Sequence, residues 1–189
     1  MINMKKLNFG SGNKIKEGYV NADLVNYPGV DTIFDFNQPP YPFADNFFDE
    51  ICAFHILEHL NDFHVTISEL ARISKPGAIW DIRVPFFLNT KYFGDPSHKI
   101  PFSIRSFDNY ENIDNKKLKF YEQWKKDHTT NMGAHFSFDI IEKSFNFTNF
   151  PILKQVFNFI GNIEPVLYER LCVGFFSPEE VIFKLKLVK

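Results

Sequence analysis

Lys6-Leu7-Asn8-Phe9-Gly10-Ser11-Gly12, followed by Tyr19-Val20-Asn21-Ala22-Asp23, is the stretch on which the fold turns. Lys6 to Phe9 reads as a short strand running into a Gly-Ser-Gly turn, and Tyr19 to Leu24 as a second strand that carries an acid near its end. Glycines let the backbone approach a ligand closely, and a carboxylate at the end of the second strand can accept both hydroxyls of a ribose. The pattern is that of a nucleotide site. It does not fit a nicotinamide dinucleotide, because Asp23 follows Gly10 by only 13 positions and Ile15 stands where a third glycine belongs. No full crossover helix fits between the two strands.

Working outward, Asp31 to Asp35 reads as a third strand and Phe48 to Phe54 as a fourth, separated by the turn-rich Asn37-Gln38-Pro39-Pro40-Tyr41-Pro42. Phe63, Ile67, Leu70 and Ile73 then form one apolar stripe at helical spacing, with Asn61 or Asp62 to cap it and Pro76-Gly77 to stop it. Ala78 to Val84 is a fifth strand, with Trp80, Ile82 and Val84 on one face and Asp81 and Arg83 on the other. Beyond it, Phe138, Ile141 and Phe145 have helical spacing, and a strand is expected around Val156 to Ile160. A short helix follows at Pro165 to Leu171, and then a final strand through Val181, Phe183, Leu185 and Leu187. This rhythm predicts an α/β, Rossmann-like domain of about seven strands. The sheet is mostly parallel with an antiparallel edge strand, and helices lie on both faces. One domain spans 1–189, and the aperiodic segment 86–135 is expected to be a lid or substrate-binding insertion.

Composition narrows the partners. The chain has 189 residues, 21 Lys plus Arg against 23 Asp plus Glu, and 24 Phe. A net charge of −2 gives no global basic field, so neither nucleic acid nor an anionic membrane is expected as a partner. The apolar runs reach about five residues, as in Val84-Pro85-Phe86-Phe87-Leu88, far short of the ~20 that cross a bilayer. Lys5-Lys6 is not followed by a signal-peptide core, so a cytoplasmic monomer or homodimer is expected, with Cys52 and Cys172 as buried free thiols.

The ordered set Leu7-Asn8-Phe9-Gly10-Ser11-Gly12, Tyr19-Val20-Asn21-Ala22-Asp23, Asp35, Tyr41-Pro42-Phe43, Phe48-Asp49-Glu50-Ile51, His55-Ile56-Leu57-Glu58-His59 and Ser74-Lys75-Pro76-Gly77 resembles a class I S-adenosylmethionine-dependent methyltransferase. The small members with a Leu-Glu-His motif, of methyltransferase type 11, are the most similar. The resemblance covers about the first 85 residues. It implies S-adenosylmethionine as cofactor, with Asn8, Phe9, Gly10 and Gly12 bordering its methionine part. Asp23 would take the ribose diol, Asp35 and Phe36 would sit by the adenine, and His55 would close the cofactor and face a small-molecule or saccharide-type acceptor. Catalysis would consist mainly of alignment and exclusion of water, with His55 and then His98 as the candidate bases. The chain departs from the family pattern in having Asn8 where an acid is usual and Asn13 where a glycine is frequent. These departures support an alternative, a noncatalytic methyltransferase-like interaction module.

Other motifs compete. His55-x-x-Glu58-His59 also matches an inverted zinc-peptidase pattern, which would make the chain a zinc hydrolase if His98, His128 or His135 supplied a third ligand. The position of the motif after a strand argues instead for no metal, with Glu58 hydrogen-bonded locally at a turn and His59 structural. Asn37-Gln38-Pro39-Pro40-Tyr41 is read as a turn. The lysines interleaved with aromatics from Lys116 to Lys126 are read as a solvated helix face, because Glu111, Asp114, Glu122 and Asp127 offset them. Within the lid, Phe86, Phe87, Tyr92, Phe93 and Phe102 are expected to form an apolar wall. Lys99 and Arg105 would meet a polar group, and Asp95 would hang over the site beside His98.

Overall fold

A computed structural model of the chain describes residues 4–113, 134–147 and 154–189. The Lys-rich stretch 116–126 and His128 lie outside them. In chain order the elements are β1 (Lys6–Phe9), β2 (Val20–Asp23), β3 (Thr32–Ile33), β4 (Phe48–Phe54), a 3-10 turn (Leu57–His59) and α1 (Phe63–Ile73). There follow β5 (Ser74–Pro85), α2 (Thr90–Gly94), a second 3-10 turn (Asp108–Tyr110), β6 (Ser137–Asn146), α3 (Lys154–Ile163), α4 (Pro165–Leu171) and β7 (Glu180–Val188). They build one seven-stranded sheet in the order β3-β2-β1-β4-β5-β7-β6. β1 to β5 pair in parallel, and β7 is antiparallel to both β5 and β6. This is the Rossmann-like architecture expected from the sequence. No helix among the described residues is long and apolar enough to cross a membrane.

Register divides the sheet into two unlike faces. Leu7, Ile51, Trp80 and Leu185 sit side by side across four strands, as do Ala53, Ile82 and Phe183, and all are buried. α1 lays Ile67 and Leu70 on this face, and Tyr168 of α4 meets Phe145 there. The opposite face carries Lys6, Glu50, Asp81 and Lys184 at the intervening positions, with Lys6 Nζ 2.9 Å from Glu50. Helices were expected on both faces, and among the described residues the packed helices lie on the apolar one. The β1–β2 and β2–β3 connections, residues 10–19 and 24–31, contain no helix to cover the other.

α1 begins where Asp62 accepts the Val65 N–H at 3.0 Å. It ends at Ile73, four residues before Gly77, because the Ser74 hydroxyl donates to the Leu70 carbonyl at 2.7 Å and receives the Trp80 indole N–H at 3.0 Å. Pro76-Gly77 serves instead in an irregularity of β5, where the register with β4 jumps from Ser74 to Ile79 and Gly77 has φ 82°.

Two elements differ from the sequence reading. Phe138 to Phe145 is strand β6, not helix. A bulge between Ile140 and Glu142 inserts one residue, so Phe138 and Phe145, seven positions apart, reach the same face. Without the bulge they would lie on opposite faces, and only a helix would reconcile them. The strand expected at Val156 to Ile160 is helix α3. Its Asn162 pairs with the outer edge of β6, accepting the Phe145 N–H at 2.6 Å and donating to the Phe145 carbonyl at 2.8 Å. Cys52 is buried as expected, and burial pushes its thiol pKa up. Cys172, expected buried, is exposed.

Candidate functional site

The strand order reverses about β1 and β4, and the crevice beyond their carboxyl ends is where ligands bind in open α/β sheets. Gly10 and Ser11 both donate their N–H to the Ala22 carbonyl, at 2.9 and 3.0 Å, which folds the turn over the end of β2. Gly10 has φ 72°, and a Cβ there would lie 2.5 Å from Ile56 Cγ1. The next glycine, Gly12, has φ 52° and open space around it. Its N–H donates to Asp23 Oδ2 at 2.7 Å, while Asp23 Oδ1 accepts the Val25 N–H at 2.9 Å. A carboxylate has about four lone-pair sites, so each oxygen of Asp23 keeps one for a sugar hydroxyl.

Asn8 is buried and fully engaged. Its amide donates to Asn21 Oδ1 at 2.9 Å and to the Lys14 carbonyl at 3.0 Å, and its oxygen accepts from the Cys52 thiol at 3.4 Å. With the neighbouring turn it forms the back of a cavity of about 580 Å³, which Lys16, Phe54, His55, Arg83 and Glu180 also line. Lys16 Nζ and the Arg83 guanidinium both stand over the Phe54 ring, at 4.1 and 4.5 Å from its centroid. These two cations suit a carboxylate, and neither was singled out from the sequence. Arg83 was read only as a residue on the outer side of β5.

At the end of β4 the chain turns sharply at His55, whose φ is 55° and whose N–H still reaches the Arg83 carbonyl at 2.8 Å. Its Nε2 lies 2.5 Å from Glu180 Oε1 at the start of β7, and its Nδ1 lies 3.6 Å from Glu58. The Glu180 hydrogen bond, and secondarily the Glu58 carboxylate, push His55 up to about 9. His55 in turn holds Glu180 down at about 2. The pair is therefore imidazolium and carboxylate at neutral pH, and His55 carries its proton rather than an open lone pair.

The same pair forms the wall of a second cavity of about 350 Å³, bounded also by Glu58, His59, Lys91, Asp95, His98 and Glu179. Lys91 closes one side through an ion pair with Glu179. The loop carrying Asp95 and His98 is tied down by the Lys99 and Ile100 N–H groups, which donate to the Glu58 carbonyl at 2.7 and 3.1 Å. Glu58 was expected to hydrogen-bond locally, but its buried carboxylate has no hydrogen-bond partner among the described residues.

Several expected residues sit elsewhere. Asp35 is occupied by its own turn, accepting from the Asn37 N–H at 2.9 Å and the Gln38 amide at 3.0 Å. The rings of Phe36 and Phe9 pack on each other at 4.1 Å within the core, which leaves Phe9 its backbone alone to offer a ligand. Phe86 and Phe102 are core residues too. Of the expected lid wall, Tyr92 meets the second cavity's residues through its ring, 5.3 Å from that of His98, and Phe86 through its N–H, which donates to the Glu179 carbonyl at 2.9 Å. Lys99 bonds Asn61 at 2.7 Å, and Arg105 reaches Asp108 at 3.6 Å. The two histidines of His55-x-x-Glu58-His59 do not share a helix face, since His55 is itself left-handed and lies outside the short 3-10 turn, Leu57–His59, that carries His59. His135 lines a different cavity, with His64 and Phe136.

Residues 11–80 match the family model described as a methyltransferase domain. The fold is similar to a methyltransferase of Haloferax volcanii solved in complex with the Trm112 methyltransferase activator (14% identity, TM-score 0.53, covering 98% of this chain and 83% of that one). It is also similar to an S-adenosylmethionine-dependent methyltransferase of Archaeoglobus fulgidus (16%, TM-score 0.52, 97% and 86%). A third such protein, from Listeria monocytogenes, aligns at 10% identity and TM-score 0.54 over 99% and 91%. No curated protein matches the chain.

Proposed function

We propose that the chain is an S-adenosylmethionine-dependent methyltransferase, a reading supported by the methyltransferase-domain match over residues 11–80 and by the fold, and that it moves a methyl group to an oxygen, nitrogen or carbon nucleophile of a small-molecule or saccharide-type acceptor held in the 350 Å³ cavity. One observation carries this reading. The cavity of about 580 Å³ at the β1–β4 reversal and the second cavity meet at a shared wall, His55 and Glu180.

The residues of the first cavity fit the cofactor by the chemistry of their groups. Lys16 and Arg83 suit its carboxylate and the glycine turn admits close backbone approach, while Asp23, bonded to Gly12 beside the cavity and not among its lining, has lone pairs that suit a ribose. Pockets of this kind hold ligands of cofactor size at roughly 300–1,000 Å³. When bound, the cofactor supplies a methyl already activated on a positively charged sulfur, with a neutral leaving group.

What remains for the protein is alignment and exclusion of water. Glu180 and Glu58 place two carboxylates against one imidazolium, with the Arg83 guanidinium also acting on Glu180. His55 acts there as a proton-bearing donor that orients, not as the resting base. An acceptor that arrives protonated needs another acceptor for its proton. His98 qualifies: its Nδ1 lies 2.9 Å from the Tyr92 carbonyl, which as partner requires an N–H and leaves Nε2 with a lone pair. In this reading residues 1–189 work as one domain, and segment 86–135 selects the acceptor through Lys91, Asp95 and His98.

Calorimetric titration with S-adenosylmethionine, and separately with its demethylated product, tests the cofactor site. Micromolar binding that is lost in Asp23→Ala supports it. No binding at millimolar ligand sinks it and favours the interaction module. Binding of both ligands with no transfer to any of a panel of hydroxyl, amine and saccharide acceptors would favour a module that retains the cofactor.

A further inference from the structure

We infer that Glu58, His59 and His98 form a binding site for a first-row divalent transition metal on the wall of the second cavity. Their ligand atoms all lie within 4.8 Å of one another. Donors bound to a common ion at roughly 2.0–2.1 Å lie at most about 4.2 Å apart, so small side-chain rotations bring the three into coordination. His98 Nε2 is already 4.0 Å from Glu58 Oε1.

Glu58 is the observation that asks for a ligand. Its side chain is 1% exposed, and both oxygens lack a hydrogen-bond partner among the described residues. The nearest nitrogens, His55 Nδ1 at 3.6 Å and His98 Nε2 at 4.0 Å, are too distant to bond it. A carboxylate taken out of water without hydrogen bonds is costly, and a metal ion is one of the few partners that offsets the cost.

The two imidazoles are prepared for the same partner. The Tyr92 carbonyl takes the Nδ1 proton of His98, at 2.9 Å. Ser97 Oγ donates to Asp95 at 2.5 Å, so it accepts from His59 Nδ1 at 2.9 Å. Each ring thus keeps its lone pair on Nε2. Anchoring the far nitrogen on a carbonyl or a carboxylate relay is how metal-ligating histidines are oriented. Two imidazoles and one carboxylate select zinc, cobalt, nickel or similar ions over magnesium and calcium, which prefer all-oxygen shells. Three protein ligands also leave a coordination position open toward the cavity, where an oxygen of a bound molecule can join.

The inference goes beyond methyl transfer and does not rest on it. His98 Nε2 serves either as a proton acceptor or as a ligand, and metal titration decides which. Protein freed of metal by chelation and dialysis is titrated with zinc chloride by calorimetry and with cobalt chloride by visible absorption, without cofactor. The expected result is saturable binding of one ion per chain, with cobalt d–d bands, weakened at least about 10-fold in His98→Asn and His59→Asn. Glu58→Gln should match them, and if it fails to fold the two histidine variants carry the test. His135→Asn, in another cavity, should leave binding unchanged. No saturable binding by the wild-type chain, or binding indifferent to both His59 and His98, overturns the site. Cofactor titration in the presence of chelator keeps failure here separate from failure of the methyltransferase reading.

Discussion

Gly10→Ala and Gly12→Ala should differ in kind, although both glycines have positive φ. At Gly12 the added methyl meets open space, so the cost is the left-handed backbone alone, about 1–2 kcal/mol. At Gly10 the same backbone cost applies, and the methyl would also lie 2.5 Å from Ile56 Cγ1 and 2.6 Å from its Cβ. Ile56 cannot swing a Cβ aside without moving its backbone, and overpacking of this kind adds about 1–3 kcal/mol. The total for Gly10→Ala is then about 2–5 kcal/mol, a large part of the ~5–15 kcal/mol that holds a typical domain. Urea unfolding followed by tryptophan fluorescence suits the measurement, since Trp80 is fully buried. Adding Ile56→Gly, which removes that Cβ, should return about 1–3 kcal/mol in the Gly10→Ala background, measured against its own cost in the wild type. Equal destabilisation by the two glycine variants, or no coupling between positions 10 and 56, would refute the steric reasoning.

Other consequences are as direct. Asp23→Ala should weaken cofactor binding at least about 10-fold and, by freeing the Gly12 and Val25 N–H groups, lower stability by about 1–2 kcal/mol in the same urea assay. The His55–Glu180 pair makes stability depend on pH in both directions. His55, raised to about 9, contributes fully below its ordinary 6.5 and loses the contribution as pH rises through 9. Glu180, lowered to about 2, contributes fully above its ordinary 4.5 and loses it as pH falls through 2. The stability difference between wild type and Glu180→Gln, measured against pH, should therefore be greatest between 4.5 and 6.5; a flat difference would exclude the pair. Asn162→Ala should cost about 1–3 kcal/mol in urea unfolding, because it orphans the Phe145 N–H and carbonyl at a buried residue of the sheet's edge strand.

The parts of the fold legible in the sequence were those whose cause is local. β1, β4, α1 and β5 each show their own period, and Gly10-Ser11-Gly12 with Asp23 shows a turn chemistry few other structures need. β6 and α3 failed for definable reasons. A bulge gave the strand a helical spacing of apolar residues, and α3 carries β-favouring Val156 and Phe157 while its asparagines do the work of a neighbouring strand. The site was legible only as far as the first 85 residues reach. Glu180 lies 125 positions from His55, and nothing local marks it as the partner that fixes that histidine's proton. Lys16 and Arg83 were hidden in the same way, as ordinary surface cations until the sheet gathers them. Phe36, read from the sequence as a neighbour of the adenine, has its side chain buried against Phe9 in the aromatic core, a placement that its position after the third strand does not reveal.

The insertion of β7 between β5 and β6 has a consequence for how the molecule is made. Residues 180–188 fill a slot inside the sheet, so β6 has nothing to pair with until they emerge. The same nine residues begin with Glu180, the wall between the two cavities. A nascent chain can assemble β1 to β5 and its glycine turn during synthesis, yet it stays without the partner of His55 and with the β5 edge open. Ligand binding that needs both cavities should thus appear only after residue 188 has left the ribosome. Until then the exposed edge of β5 is where a half-made chain is vulnerable to pairing with another.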